Sequence, residues 1–254
     1  MTHKNTLKEI EQYYDKRAKH DDGRKAAGQW NEKEIIPDIC SEICKKIELS
    51  SEKKVLEIGC GSGILGRWIN ERCSAYFGLD ISLHMLKKFK DETLESPHII
   101  QALTNQIPTQ DNTFDIVLMN GVSMYFKNDV ELTSTLQEMS RVAKNDAMIF
   151  IGENIVSSGI YWELVWFQNL SKSAQIIAKP YVKFRRNLGK KFPKMAGKWK
   201  SMHNEISVET LKRFFKDKGI LVESNSASQT IRRGKQGQKY KGNHRKDFVI
   251  KLNG

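Results

Sequence analysis

Between residues 53 and 155 the chain alternates short apolar runs with longer amphipathic segments. Val55-Leu-Glu-Ile58, Ala75-Tyr-Phe-Gly-Leu79, Phe114-Asp-Ile-Val-Leu-Met119 and Ala147-Met-Ile-Phe-Ile151 have the length and apolar content of buried strands. They predict strands over 53–58, 75–80, 97–101, 114–119 and 146–152, separated by helices over 63–71, 82–93 and 128–143. Strands that alternate with helices in this way imply a parallel sheet with helices on both faces. Ahead of this block, Leu7, Ile10, Tyr13, Tyr14 and Arg17 recur at helical spacing, and Ile35 to Ile47 forms a second amphipathic segment. After a long interruption, Ser207 opens a helix that runs through Lys218. Strands near 219–228 and 246–252 then predict a terminal antiparallel hairpin. The expected fold is α/β: a doubly wound, mostly parallel, seven-stranded sheet. The expected organisation is an N-terminal helical cap over 1–50, a core over 51–156, an inserted lid over 157–206, and a C-terminal helix and hairpin over 207–254.

Chemistry enters at residues 55–63, Val-Leu-Glu-Ile-Gly-Cys-Gly-Ser-Gly. An apolar strand runs here into Gly59, Gly61 and Gly63, which allow a tight turn and a close backbone approach to a ligand. The apolar run from Ile64 to Trp68 then starts a helix whose N-terminus faces that ligand. Glu57 is the informative departure. A carboxylate at the strand end repels a pyrophosphate but suits a cationic or hydroxyl-rich ligand. The run Gly61-Ser-Gly-Ile-Leu-Gly66 also fits the dinucleotide pattern of the nicotinamide dehydrogenases, and Asp80 lies at the distance of a ribose-binding acid under either reading.

Three segments decide between them. Glu57-x-Gly59-x-Gly61-x-Gly63 resembles the first motif of the class I S-adenosylmethionine-dependent methyltransferases. Ala75 to Leu86, with Asp80, Ser82 and Met85, is similar to their second strand, its terminal acid and the helix entry behind it. Ile107 to Asn120 is similar to their fourth-strand signature. The resemblance covers roughly residues 53–155, and its nearest likeness is to small-molecule enzymes of the ubiquinone and menaquinone type. It implies a Rossmann-like fold and S-adenosylmethionine as cofactor. It also implies that Glu57, beside the amides of Gly59 and Gly61, orients the methionine end, and that Asp80 accepts both ribose hydroxyls. Ser82 and Met85 would flank the adenosine, and Asn120 would lie near the methionine moiety. Relatives often carry an acid where this chain has Leu103; Thr104 or Asn105 would contact the adenine instead. A Tyr-Tyr-Asp helix like that at Tyr13–Asp15 folds over the cofactor in similar enzymes, which makes Tyr14 and Trp30 candidate acceptor-side lid residues.

Charge divides the chain sharply. Residues 1–156 contain 20 Lys+Arg against 24 Asp+Glu, and residues 157–254 contain 22 against 6, a net +16. The stretch from Lys172 to Lys200 holds ten basic residues and no acid, and Arg232 to Lys246 is a second basic run, read as a loop. Both stretches leave the sheet from the carboxyl ends of strands, where ligands bind in such folds. An anionic methyl acceptor held by Lys183, Arg185 and Arg186 follows, with a solvated charge run as the plain alternative. Aromatic residues among these lysines and arginines also suit a nucleic-acid acceptor. The segment Ile160–Leu170 suits an apolar lid or a peripheral contact with a membrane surface. A non-catalytic cofactor-binding regulator is a third reading, because glycine and acid motifs bind without reacting.

If the acceptor is a hydroxyl or a protonated amine, a base helps. His203, Tyr125 and Glu153 are the candidates, with His84 read as a ribose-side loop residue. The cysteines Cys40, Cys44, Cys60 and Cys73 and the six histidines lack ligand spacing, so no metal is expected. There is no run of eighteen apolar residues and no signal-like start, which points to the cytoplasm.

Overall fold

The structure is a computed structural model that describes residues 3–20, 22–23, 33–93, 97–155, 173, 206–236 and 245–254. Trp30, Lys183, Arg185, Arg186, His203 and nearly all of the expected lid over 157–206 lie outside the described residues.

The chain opens with helix α1 (His3–Arg17), and a 3-10 turn (Lys33–Ile35) leads into α2 (Ile36–Lys46). Then follow β1 (Lys54–Ile58), α3 (Ile64–Asn70), β2 (Ala75–Asp80), α4 (Leu83–Asp91), β3 (His98–Gln101) and β4 (Phe114–Asn120). A second 3-10 turn (Ser123–Tyr125) precedes α5 (Asp129–Val142) and β5 (Ala143–Ile155). The described chain ends with α6 (Val208–Phe215), β6 (Gly219–Asn225), α7 (Ala227–Gln236) and β7 (Arg245–Leu252). The seven strands form one sheet in the order β3-β2-β1-β4-β5-β7-β6. Neighbours pair in parallel from β3 to β5, and β7 runs antiparallel to both β5 and β6. This is the doubly wound, Rossmann-like architecture expected from the sequence, with its antiparallel end.

The local chemistry explains these elements. Largely apolar β1 and β4 bury both faces, as central parallel strands must. Ser82 caps α4 by accepting the Met85 N–H, Asn128 caps α5 through Val130 and Glu131, and Ser207 caps α6 through Thr210. One side of the sheet packs Leu132, Leu136 and Met139 of α5 and Leu211 and Phe215 of α6 against Val117, Ile149 and Phe248. The other packs Ile39 and Ile43 of α2, Leu65 and Ile69 of α3, and Leu86 and Phe89 of α4 against Val55, Tyr76 and Phe150.

One sequence expectation is corrected. The final strands do not meet through a basic loop running from 232, because residues 227–236 are the helix α7, which packs on α2 and β5. Ser226 ends β6 there by accepting the Gln229 N–H at 3.3 Å. The carboxyl end of β5 is a bulge: its register with β7 shifts between Ile151 and Asn154, and Glu153 adopts a left-handed φ of 58°.

Candidate active site

The carboxyl ends of β1, β2 and β4 open into a cavity of about 1140 Å³, counting the space at its mouth. The glycine turn forms its floor. Gly59 has φ 73°, and a Cβ there would lie 2.2 Å from Val122 Cγ2. Gly63 has φ 76°, and its Cβ would lie 2.1 Å from the Phe89 ring. Only glycine meets both demands, the left-handed backbone and the missing volume. A Cβ on Gly61 would meet only the Met85 methyl, at 3.4 Å, so the chain there stays open to a ligand.

Three polar side chains from three strand ends converge on this floor. Glu57 is buried and accepts a hydrogen bond from Tyr76 Oη at 2.6 Å. Burial pushes its carboxyl up to about 8, with the neighbouring Asp80 charge adding to the shift and the Tyr76 hydrogen bond opposing it. Asp80 accepts from the Gly61 N–H at 2.8 Å and the Ser82 N–H at 2.9 Å, and burial raises its carboxyl above the ordinary range. These bonds hold the carboxylate rigid and leave each oxygen a further lone pair. Asn120 lines the same cavity, and its Oδ1 is buried without a hydrogen-bond partner among the described residues. A buried acceptor without a donor costs roughly 1–3 kcal/mol, so this atom fits a ligand that brings an N–H.

The expectation for the glycine amides is corrected. Gly59 N–H donates to the Leu79 carbonyl at 2.6 Å and Gly61 N–H to Asp80, so both are used within the turn. Ser82 is fully buried behind the floor; its hydroxyl caps α4 and donates to Asp15 Oδ1 at 2.6 Å. Met85, Thr104 and Asn105 line the cavity, as does Leu103. His84, outside the cavity, pairs with Asp15 at 3.1 Å.

Helix α1 lies across the opening, presenting Leu7, Ile10 and Tyr14 to the cavity. The Tyr14 and Tyr125 hydroxyls hydrogen-bond across it. Burial pushes both phenols up, each beyond its ordinary range. They stay protonated near neutrality and act as donors, which removes Tyr125 from the set of bases. Glu153 is removed by position. It is buried away from the cavity, and its carboxylate pairs with Arg245 at 2.9 Å. Burial raises this carboxyl, but the Arg245 charge and the hydrogen bonds from Ser228, Arg245 and Ser226 together hold it below the ordinary range. Its backbone N–H donates to Asp247, whose other oxygen pairs with Lys46 at 2.7 Å. This buried network locks the bulge of β5 and α7 onto the sheet; it is structural. Glu131 and Phe126 line the cavity but were missed in the sequence. Asn128-x-x-Glu131 reads as a helix cap, and nothing in the sequence turns that cap towards a ligand.

Comparison with known proteins agrees with this geometry. Residues 56–151 match the profile of the methyltransferase domain family. Over these residues the chain carries a methyltransferase domain. An uncharacterised protein of Methanocaldococcus jannaschii is 32% identical over 146 residues, which cover 57% of this chain and 60% of that protein. The demethylmenaquinone methyltransferase of Tropheryma whipplei is 28% identical over 111 residues, covering 43% of this chain and 45% of the enzyme. The chain thus spans about half to three-fifths of the length of these relatives. Among solved structures, phosphoethanolamine N-methyltransferase 1 of Haemonchus contortus, in complex with phosphoethanolamine and S-adenosylhomocysteine, superposes with a TM-score of 0.66 at 14% identity, over all of this chain and 50% of that one. Magnesium protoporphyrin IX methyltransferase of Synechocystis, with bound S-adenosylhomocysteine, gives 0.61 at 10% identity over 98% and 100%. These two share the fold. The methyltransferase domain's family uses S-adenosylmethionine, and the floor carries a buried carboxylate, a rigid strand-end aspartate and an orphaned amide oxygen that suit it. Among the described residues no helix is long and apolar enough to cross a membrane, and no cluster of ligating side chains is arranged for a metal.

Proposed function

We propose that the chain is an S-adenosylmethionine-dependent methyltransferase that methylates an oxygen or nitrogen of a small anionic acceptor by in-line displacement. The order of polar groups along one cavity carries this reading. Glu57 and Asn120 stand at the tips of β1 and β4, and Asp80 at the tip of β2. The bound cofactor would supply an activated methyl group on a cationic sulfonium. Glu57 and Asn120 would accept from its ammonium, and Asp80 from its two ribose hydroxyls. The remaining task of the protein is positioning and exclusion of water, an effect that supplies roughly 7–11 kcal/mol in well-oriented reactions. Helix α1 and the Tyr14–Tyr125 pair cover one side of the cavity, and the pair, which uses one O–H proton between its two hydroxyls, stays protonated. His203 is the base of this proposal where the acceptor arrives protonated.

The anionic character of the acceptor rests on charge. The net +16 of residues 157–254 follows β5, the parallel neighbour of β4, and includes Lys183, Arg185 and Arg186. A relative 29% identical over 126 residues is the malonyl-[acyl-carrier protein] O-methyltransferase of Buchnera aphidicola, which supports oxygen as the accepting atom. Free cysteines and the cofactor's class accord with a cytoplasmic setting.

The test has two stages. S-adenosylhomocysteine should raise the melting temperature, as any native-state ligand must, while NAD should not. Cell extract incubated with labelled S-adenosylmethionine and the protein is then separated into small-molecule, lipid and RNA fractions. Label on small molecules retained by an anion exchanger supports the proposal. Label on RNA would instead mark an RNA methyltransferase, and tight cofactor binding without any labelled fraction would mark a regulator.

A further inference from the structure

We infer that Asn154, at the bulge of β5, is a positioning residue that sets the turn 121–126 against the cofactor cavity through Ser123. The inference rests on the cofactor reading above and extends it to two residues with no role there. Among the described residues, three other than glycine have a left-handed φ: Glu48, Asn112 and Glu153. The first two are exposed and lie outside helices and strands, whereas Glu153 is buried within β5. Such a backbone is unfavourable for any residue with a Cβ, and bulges that contain one re-aim side chains beside functional sites.

The register shows which side chain is re-aimed. Ile151 pairs with Phe248 and Asn154 with Lys246, so Gly152 and Glu153 together face the single residue Asp247. Ile151 and Phe248 belong to the core on the α5 and α6 side of the sheet. Lys246 lies two residues from Phe248, so its partner Asn154 continues that side, three residues after Ile151. A regular strand would put residue 153, a glutamate, in that place. The bulge instead turns Glu153 to the other side, towards Arg245 and the Ser228 N–H, and brings the neutral Asn154 behind the turn.

Asn154 is fully buried, and both N–H groups of its amide are used. Nδ2 donates to the Ile151 carbonyl and, at 3.0 Å, to the Lys246 carbonyl, which leaves Oδ1 to accept the Ser123 hydroxyl. Two carbonyls facing Nδ2 exclude the flipped amide. Ser123, itself buried, opens the 3-10 turn, and Val122, Tyr125 and Phe126 around it line the cavity. Val122 is the side chain that a Cβ on Gly59 would strike, and Tyr125 is the one that meets Tyr14. Gly121, with φ 73°, joins the turn to β4. A glycine junction is permissive, so the contacts that grip the turn set its place.

A bond that positions cavity residues acts on ligand affinity, whereas one that serves folding alone acts on stability. Ser123→Ala removes the hydroxyl with little change of volume. Calorimetric titration of the full chain with S-adenosylhomocysteine should show this variant binding at least about threefold more weakly than the wild type, within the range of one neutral hydrogen bond. Urea denaturation should show both proteins fully folded under the titration conditions. Asn154→Ala should weaken the ligand at least as much. Adding Ser123→Ala to it should then change affinity by less than about twofold, because the asparagine acts through that hydroxyl. If Asn154→Ala does not fold, Ser123→Ala alone decides. A folded Ser123→Ala protein that loses stability but less than about threefold in affinity overturns the inference. So does a Ser123→Ala effect that is as large in the Asn154→Ala background as in the wild type. If the wild-type protein does not bind S-adenosylhomocysteine, the cofactor reading itself has failed and the inference falls with it.

Discussion

The protonation of Glu57 gives the sharpest handle on the cofactor site. In the ligand-free protein its carboxyl is buried beside Tyr76, and burial pushes it up to about 8. At pH 7 it is then about 90% protonated, and a ligand ammonium placed against it returns it to the ionised form. Binding of S-adenosylhomocysteine at pH 7 should thus release about 0.9 proton, and affinity should rise roughly 50-fold from pH 6 to pH 8. Folding shows the opposite sign. An acid whose folded value lies above its ordinary value of 4.5 holds its proton in the native state after the unfolded chain has lost it. The stabilisation is complete below the unfolded value and declines as pH rises through the window from 4.5 to about 8. Over that window the ligand-free protein should lose up to ~5 kcal/mol, at about 1.36 kcal/mol for each tenfold change in proton affinity. Glu57→Gln should flatten both dependences, stabilise the ligand-free protein above pH 8, and weaken binding at pH 8 by at least about tenfold. Calorimetric titration in two buffers of different ionisation enthalpy counts the protons, and urea denaturation from pH 5 to pH 9 measures the stability. Equal affinity at pH 6 and pH 8 without proton release, unchanged in Glu57→Gln, would refute the reasoning.

Other perturbations separate the remaining parts of the site. Asp80→Ala should weaken S-adenosylhomocysteine by at least about 100-fold and abolish its thermal shift, since two ribose donors lose a charged acceptor; a retained shift would place the ribose elsewhere. Gly59→Ala should cost about 2–5 kcal/mol of stability in denaturant unfolding, combining a left-handed backbone with the overlap on Val122; a loss below about 1 kcal/mol would mean that the turn relaxes freely. Neutralising Lys183, Arg185 and Arg186 together should raise the KM for an anionic acceptor, leave cofactor affinity unchanged, and lose its effect as salt screens charges over about 8–10 Å. Unaltered kinetics at low salt would make those residues a solvated face.

The sheet and the glycine turn were legible in the sequence because they depend on local rules. Apolar runs of strand length, Ser82, Asn128 and Ser207 at helix starts, and the glycine turn each act over a few residues. Glu57 and Asp80 could be singled out because each ends a strand, and parallel strands bring their carboxyl ends together. What lay beyond local pattern needed the tertiary structure. Glu153 and Tyr125 looked like bases; the one is neutralised by Arg245, ninety-two residues away in the chain, and the other is kept protonated by burial under α1. The basic run from Arg232 begins within a helix because Ser226 and the buried Asp247 hold the start of α7. Glu131 reads in the sequence as a capping residue, and contacts of its helix with Thr104 and Ile107 set that helix beside the cavity. Which residues are present, and in what local conformation, is encoded within short windows; which of them share a cavity, and with what charge, depends on contacts between segments that no short window contains.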